Sequence, residues 1–369
     1  MKVLVLNSIL FTAEKGVIPT INSIKDTMIY GMCQGFLKSG HEPVLAVAAD
    51  YRPIEPETYD FTVLFFESKF KKIFKPAYLP FSTSLNKYIR HHGKDFDIIL
   101  SSETFALPTL FAAIYSPKNL FVWQELTKHQ KKLLSLPSKA WHNYVARLII
   151  SKAACVIPRS LSAYNFISGY LDNVTDTIVE HGIDTGVFTI SEIKKRQFIV
   201  YSQLIARKNV KSIITKFKHL HDIKEYSDIK LIIAGRGNEE DELKSYVAKL
   251  NLDNNVLFKG FLPHDILSKY IRESMALLTD TLSDLNMVSI PEAIVCGTPV
   301  VTNTIPASSD YISDNNLGIV KDGWDKEELI EIIENNRFYV NNCIKYRPNL
   351  SNQAAADKII NLWKKAAGG

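Results

Sequence analysis

The chain has 369 residues, which at roughly 100–200 residues per domain favours two domains over one large core or a string of small modules. Hydrophobic residues make up 46% and charged residues 22%, which excludes a disordered or fibrous chain. Lys+Arg 44 against Asp+Glu 39 gives a net charge of +5, too weak an excess over this length to demand nucleic acid, while a weakly anionic partner stays open.

The opening MKVLVLNSILFTA has the outline of a short signal peptide, with one Lys, an apolar stretch and a small residue at Ala13. The reading adopted is a buried first strand, Val3 to Leu6, because Asn7 interrupts the run and a helical pattern follows. From there short apolar, β-rich runs alternate with amphipathic segments, the pattern of parallel βαβ units. Val3–Leu6, Pro43–Ala48, Phe61–Phe66, Ile98–Leu100, Leu120–Trp123 and Cys155–Pro158 read as strands of a first sheet. Helical patterns lie between them, notably Ile24–Ser39, ending at Gly40, and Trp141–Ser151. A second series follows: Phe198–Gln203, Lys230–Ala234, Val256–Lys259, Ala276–Thr279, Pro299–Thr302 and Gly318–Val320, with helices that include Asn209–His219 and Glu239–Leu250.

The break falls in the polar stretch Asp184–Arg196, so the expected domains are 1–185 and 186–350. The remainder, 351–369, holds an amphipathic helix, Asn352–Lys365, placed to pack back onto the first domain. No uncharged apolar run approaches the roughly 18 residues a membrane-spanning helix needs. Cys33, Cys155, Cys296 and Cys343 stand far apart with no C-x-x-C pair, which fits a reducing cytoplasm and neither a zinc site nor a disulfide framework.

Phe66, Phe70 and Phe74 fall at helical spacing in FESKFKKIFK, with Lys69, Lys71, Lys72 and Lys75 between them. Such basic amphipathy suits an anionic membrane surface or a lipid-linked acceptor. Core packing with solvated lysines fits it too, and better. DFD at Asp95–Asp97 has the outline of a metal-binding D-x-D, but it sits just before a strand and no metal is expected there. The His91-His92 and His219/His221 pairs lack a third ligand at zinc-like spacing.

The most informative segment is SDLNMVSIPEAIVCGTPVVTN, Ser283 to Asn303. Asp284 and Glu292 lie eight residues apart, separated by a turn and the start of an apolar helix. Backbone N–H groups at Asn286, Met287 and Val288, just before that helix, could meet an anion such as a diphosphate. Glu292, about one turn in, could accept hydrogen bonds from a vicinal diol such as ribose. On spacing alone, an ordinary loop–helix–strand unit with exposed acids fits as well.

The segment resembles the E-x7-E signature of the retaining group 1 (family 4) glycosyltransferases, and the AIVCGTPVV that follows, Ala293–Val301, matches that family's next stretch. Other blocks stand in the family's order: EHGIDTGVF (Glu180–Phe188), YSQLIARKNV (Tyr201–Val210), LIIAGRGNEEDEL (Leu231–Leu243), VLFKGFLPHDIL (Val256–Leu267) and NNLGIVKDGWDKEEL (Asn315–Leu329). The resemblance is good over the second half of the chain and holds only in outline over the first. It implies an α/β protein of GT-B type, two Rossmann-like doubly wound domains facing a central cleft, with acceptor binding in the first and nucleotide-sugar binding in the second.

Residue by residue, the resemblance makes Glu292 the ribose ligand, Asp284 the acid that meets the donor sugar, and Met287 and Val288 backbone donors. Lys208 stands where the family has the lysine that grips the diphosphate. Phe261 lies where the nucleotide base is seated, although a plain core phenylalanine is nearly as good a reading. Gly235, in the GRG of Gly235–Gly237, allows close backbone approach, and a tight turn alone explains it equally. Two departures stand out. The first family glutamate is Asp284, one methylene shorter, and the usual diphosphate arginine is absent at Gln203, where Arg207 could supply the second positive charge.

The first domain says less. Only Gly16 represents the glycine-rich loop that follows the first strand in relatives. In WQELTKHQ, Trp123–Gln130, relatives often carry a histidine near the acceptor, so Glu125 and His129 are acceptor-side candidates, with a helix-start acid as the plain alternative for Glu125. The expectation is a retaining glycosyltransferase that moves a sugar from a nucleotide-diphosphate donor to a hydroxyl of a glycan or lipid-linked acceptor. It uses no cofactor and no metal, binds no nucleic acid, and is cytoplasmic with peripheral membrane contact left open. A non-catalytic sugar-nucleotide-binding subunit, or another GT-B enzyme such as an epimerase or a phosphorylase, is the alternative. A nicotinamide dehydrogenase fits worst, since no strand is followed by G-x-G-x-x-G opening a helix.

Overall fold

The computed structural model describes residues 1–10, 18, 20–129, 135–283 and 287–368. It divides into two units, Met1–Gly182 with Asn352–Gly369, and Ile183–Ser351.

In the first unit the strands are β1 (Lys2–Leu6), β2 (Glu42–Ala48), β3 (Thr62–Phe66), β4 (Ile98–Ser102), β5 (Leu120–Gln124) and β6 (Cys155–Pro158). They form a six-stranded sheet in the order β3-β2-β1-β4-β5-β6, every pair parallel. Central strands such as β1 and β5 are buried almost throughout because helices cover both faces. The helices are α1 (Met28–Lys38), α2 (Thr83–His92), α3 (Leu107–Tyr115), α4 (Ser135–Ala140), which runs on into a π-helical turn at Trp141–Ala146, and α5 (Leu161–Ile167). One core cluster joins α1 to β1 and β2 through Phe36, Val3 and Leu45. The other, on α2 and α3, joins Ile89 and Phe111 to Leu4 and Val122.

Where helices begin is set by capping. The pattern from Ile24 becomes helical only at Met28, because the Thr27 hydroxyl accepts from the Tyr30 N–H and fixes the start there.

The stretch after β3 differs from its periodicity. Phe66 ends the strand, Lys69 pairs with Phe81 in an antiparallel bridge, and Phe70 takes φ +52°, so no helix carries the three phenylalanines. The chain turns back on itself instead, with Phe66 and Phe74 packed against the core and Phe70 outside it.

The second unit repeats the design. Its strands are β7 (Gln197–Tyr201), β8 (Lys230–Ala234), β9 (Val256–Gly260), β10 (Ala276–Leu278), β11 (Val300–Thr302) and β12 (Gly318–Val320), in the order β12-β11-β10-β7-β8-β9 and all parallel. Around the sheet lie α6 (Val210–His221), α7 (Glu240–Lys249), α8 (His264–Arg272), α9 (Ser289–Val295), α10 (Ser309–Asp314), α11 (Lys326–Glu334) and α12 (Asn336–Tyr346). Asp325 and Glu328 form a reciprocal capping box at the start of α11.

The last helix, α13 (Asn352–Ala367), belongs to the first unit and packs along α1. Sequence makes this possible at Gly31 and Gly35: a Cβ on Gly35 would lie 2.1 Å from the Asn352 carbonyl oxygen. The two helices therefore approach closely enough for Ala355, Ala356 and Ile359 to join the α1 core.

Candidate active site

In the second unit the expected residues gather at the carboxyl ends of the parallel strands, where open α/β sheets hold their ligands. After β7 the chain makes a single turn, Ala206–Lys208, closed by the Lys208 N–H donating to the Ile205 carbonyl at 2.9 Å. Asn209, at φ +53°, ends the turn and opens α6. Arg207 is exposed and Lys208 partly so.

This turn is fastened to the loop that follows β10. The Arg207 carbonyl accepts from the Leu282 N–H at 2.8 Å and the Thr281 hydroxyl at 3.0 Å. Below it the buried Asp280 carboxylate accepts from Lys216 at 2.7 Å, Ser212 at 2.7 Å, and the Asn209 and Asn303 side-chain amides at 3.3 Å each. Lys216 also lies 4.2 Å from the centre of the Trp324 ring. Asp280 thus holds the residue that ends the Arg207–Lys208 turn. Asp284 and Asn286, further along the sequence, lie outside the described residues.

Glu292 sits in the first turn of α9. Burial pushes its carboxyl up to about 8, with a hydrogen bond from Tyr201 acting in the opposite sense. The Tyr201 hydroxyl, at the end of β7, also reaches the Ser289 carbonyl at 2.5 Å. Burial, and then Glu292, raise that phenol well above its usual range. The Met287 side chain is buried in the core, with Val288 packed against the same cluster, which leaves their backbone as the part a ligand could meet.

Gly235 and Gly237 have a structural reason of their own. A Cβ at Gly235, where φ is +135°, would lie 1.8 Å from the Ser202 carbonyl oxygen, and one at Gly237 2.1 Å from that of Leu204. The Gly235 N–H donates to the Gly260 carbonyl at 2.7 Å, so the loops after β7, β8 and β9 are drawn together. Phe261, next in line, is 71% exposed; the reading of it as a core phenylalanine is therefore wrong. It follows Gly260, whose φ of +63° turns the chain out of the strand. Gln203 is exposed as well.

In the first unit Glu125 follows β5 and is exposed. Its carboxylate pairs with Arg159 Nη1 at 2.5 Å, and its N–H donates to Glu103 Oε1 at 2.8 Å. Arg159, just past β6, is buried, with its guanidinium 3.6 Å from the centre of the Trp123 ring and Nη1 2.9 Å from His181 Nε2. Glu103, just past β4, takes φ +70°. Burial pushes its carboxyl up to about 7 although Arg159 pulls the other way. Burial, and then Arg159, hold the His181 imidazole well below its usual range, so it stays neutral. His129 has both ring nitrogens engaged, with the Ser138 hydroxyl at 3.2 Å and the Tyr170 hydroxyl at 2.9 Å, inside an aromatic group with His142 and Phe166. The structure joins Glu125 to an acid–arginine–histidine network and His129 to a packed ring cluster. Among the described residues no group of three or more His, Cys, Asp or Glu is placed to hold a metal ion.

Residues 188–356, which cover most of the second unit and the start of α13, match the family model described as glycosyl transferases group 1. That part of the chain is similar to the group 1 glycosyl transferases.

Among curated relatives, the alpha-monoglucosyldiacylglycerol synthase of Streptococcus pneumoniae is 23% identical over 204 residues, 51% of this chain and 45% of that protein. The 2-deoxystreptamine N-acetyl-D-glucosaminyltransferase of Niallia circulans is 21% identical over 276 residues, 68% of this chain and 70% of that protein. The chain therefore spans less than half the length of the first of these relatives. Among solved structures, HepE of Anabaena in complex with UDP superposes with a TM-score of 0.67 at 14% identity, covering 99% of this chain and 100% of that one. A glycosyltransferase of Rickettsia africae gives 0.68 at 12% identity, covering 99% and 98%. These likenesses carry the fold, which is of GT-B type.

Glu103, Arg159, His181 and Asp280 were not singled out as site residues in the sequence. The signal that could have found three of them is position: Glu103, Arg159 and Asp280 come one or two residues after a buried parallel strand, at the carboxyl ends where open α/β sheets hold their ligands.

Proposed function

We propose that the chain is a retaining glycosyltransferase that moves a sugar from a nucleotide-diphosphate donor to a hydroxyl of a glycan or lipid-linked acceptor. The observation that carries this reading is the fastening of the Arg207–Lys208 turn to the loop after β10 through Thr281, Leu282 and Asp280, within the part of the chain that matches the family.

The chemistry follows from where charge develops. As the bond from sugar to phosphate breaks, negative charge builds on the leaving diphosphate, and Lys208 and Arg207 stabilise it from a turn that does not have to rearrange. Glu292 accepts from the ribose diol, and exposed Phe261 offers a face to the base. The acceptor hydroxyl attacks from the side the phosphate leaves, through an oxocarbenium-like state, and gives its proton to the departing phosphate oxygen. In this scheme the protein contributes positioning more than a strong base, and neither a metal nor a cofactor enters any step. Glu125, aimed by Arg159 and Glu103, takes the acceptor side.

A second reading is supported by Gln203, which is exposed and uncharged at the end of β7 where the family arginine is absent. A site that binds a sugar nucleotide without turning it over would tolerate that loss. Donor turnover followed by NMR decides between the two readings. An α-configured donor giving an α-configured product supports retaining transfer, whereas tight donor binding with no product across an acceptor panel supports the binding subunit.

A further inference from the structure

The charge of the chain is not spread evenly. Residues 68–152 hold fourteen Lys and Arg against four Asp and Glu, a net of +10, so the rest of the chain carries −5. Residues 126–171 contain no Asp or Glu, and neither do residues 68–94. Within it, α2, α3 and the π-helical turn share one core cluster with the loop after β3, on one face of the first sheet.

The same layer leaves large apolar side chains outside. Phe70, Ile73, Leu136, Tyr144 and Leu148 are each 64–77% exposed. Leu136, Ala140, Tyr144 and Leu148 recur at every fourth position along one helical run and all face outward, with exposed Lys139 and Arg147 beside them. Trp141, His142 and Ala146 point the other way, Trp141 packing on Phe105 with ring centres 5.4 Å apart. In the loop after β3, exposed Lys69, Lys71, Lys72 and Lys75 surround Phe70 and Ile73, and α2 adds exposed Lys87 and Arg90.

We infer that this layer of the first unit docks on an anionic phospholipid surface, with Phe70, Ile73, Leu136 and Leu148 entering the headgroup boundary and the lysines and arginines meeting lipid phosphates. Apolar side chains exposed on a monomer cost free energy in water that partition into a lipid interface recovers. Basic residues beside them gain attraction to a negative surface, about fivefold in partitioning for each one. A polyanion such as RNA satisfies the lysines but leaves the leucine and phenylalanine side chains in water, so the pairing of the two favours lipid.

The inference stands apart from glycosyl transfer, because lipid binding needs no donor. It is tested by sedimenting the full chain with sucrose-loaded vesicles of phosphatidylcholine alone or mixed with phosphatidylglycerol, at about 0.1 M salt. The expected result is pelleting with the anionic vesicles only, cut severalfold by either double variant, Phe70→Ser with Ile73→Ser or Leu136→Ser with Leu148→Ser. Lys72→Glu with Lys75→Glu should cut it more than tenfold. These positions are exposed, so melting temperatures should stay within a few degrees of the parent and separate lost docking from lost folding. Protein left in the supernatant with anionic vesicles, equal pelleting with both vesicle types, or apolar variants that pellet like the parent would each overturn it. So would heparin binding indifferent to the apolar variants together with no vesicle binding. Donor binding measured on the same preparation shows whether a failure here touches the glycosyltransferase reading.

Discussion

The hydroxyl of Tyr201, at the end of β7, reaches the carbonyl oxygen of Ser289 in α9 at 2.5 Å and lies within hydrogen-bonding reach of Glu292. It ties the central strand of the second sheet to the helix that carries the proposed ribose ligand. Tyr201→Phe keeps the buried ring and removes that tie, at an expected cost of about 1–2 kcal/mol in stability. Donor affinity should fall with it, because Glu292 loses a partner that orients it. Denaturant unfolding and nucleotide titration on the same variant check the two effects.

Glu103 and Glu292 each contribute stability that is lost as pH rises. Glu103 and Glu292 titrate at about 7 and about 8 in the folded chain, against an ordinary value of 4.5. Between about 4.5 and 8 these two groups hold more protons in the folded state than in the unfolded one, so their own contribution to stability declines with increasing pH, while His41, His129, His142 and His181, held low by burial, act in the opposite sense toward the acid end. Below the lower end both states are protonated and the effect vanishes. Glu292→Gln and Glu103→Gln should each flatten the decline, with the gain over the parent reaching its full size above about pH 8 for Glu292 and above about pH 7 for Glu103. Melting temperature across pH 4 to 9 in ~0.1 M salt reads this directly.

Asp280 is buried and accepts from Lys216, Ser212, Asn209 and Asn303. Removing its charge strands the Lys216 ammonium, so Asp280→Ala should cost about 3–5 kcal/mol. Asp280→Asn should cost less and leave a folded protein whose Arg207–Lys208 turn is loosened. Reduced diphosphate affinity in a folded Asp280→Asn variant is the expected outcome, and it is read by calorimetry beside a thermal melt.

The approach of α13 to α1 depends on Gly35, whose Cβ would lie 2.1 Å from the Asn352 carbonyl oxygen. Gly35→Ala should push the last helix away and cost about 1–3 kcal/mol by overpacking. Gly169→Ala is the control, since the nearest atom to its Cβ lies at an ordinary 3.5 Å. Equal unfolding midpoints for the two variants would contradict the close packing of the helices.

Much of the fold was legible because buried parallel strands are written as short apolar runs. Val3–Leu6, Lys230–Ala234 and Gly318–Val320 all lie within observed strands. The loop after β3 was not, because Phe66, Phe70 and Phe74 repeat at a helical period while the chain reverses through a bridge between Lys69 and Phe81. A periodicity argument has no access to that pairing. Candidate site residues could be named from the sequence where they cluster along the chain, as in the block from Arg207 to Val210 and the segment holding Met287 and Glu292. The Glu103–Glu125–Arg159–His181 network was hidden because its members follow different strands and meet only once the sheet is assembled. Asp280 was hidden for the same reason, its partners coming from α6 and from the end of β11.

The most direct test is calorimetric titration of the folded chain with UDP, GDP, dTDP, ADP and CMP and their common sugar conjugates, first without divalent metal and then with it, beside Glu292→Ala and Lys208→Ala. The account predicts metal-independent binding of one nucleoside diphosphate, weakened at least roughly tenfold by either variant. Binding by none of them, or affinity unchanged in both variants, would contradict it.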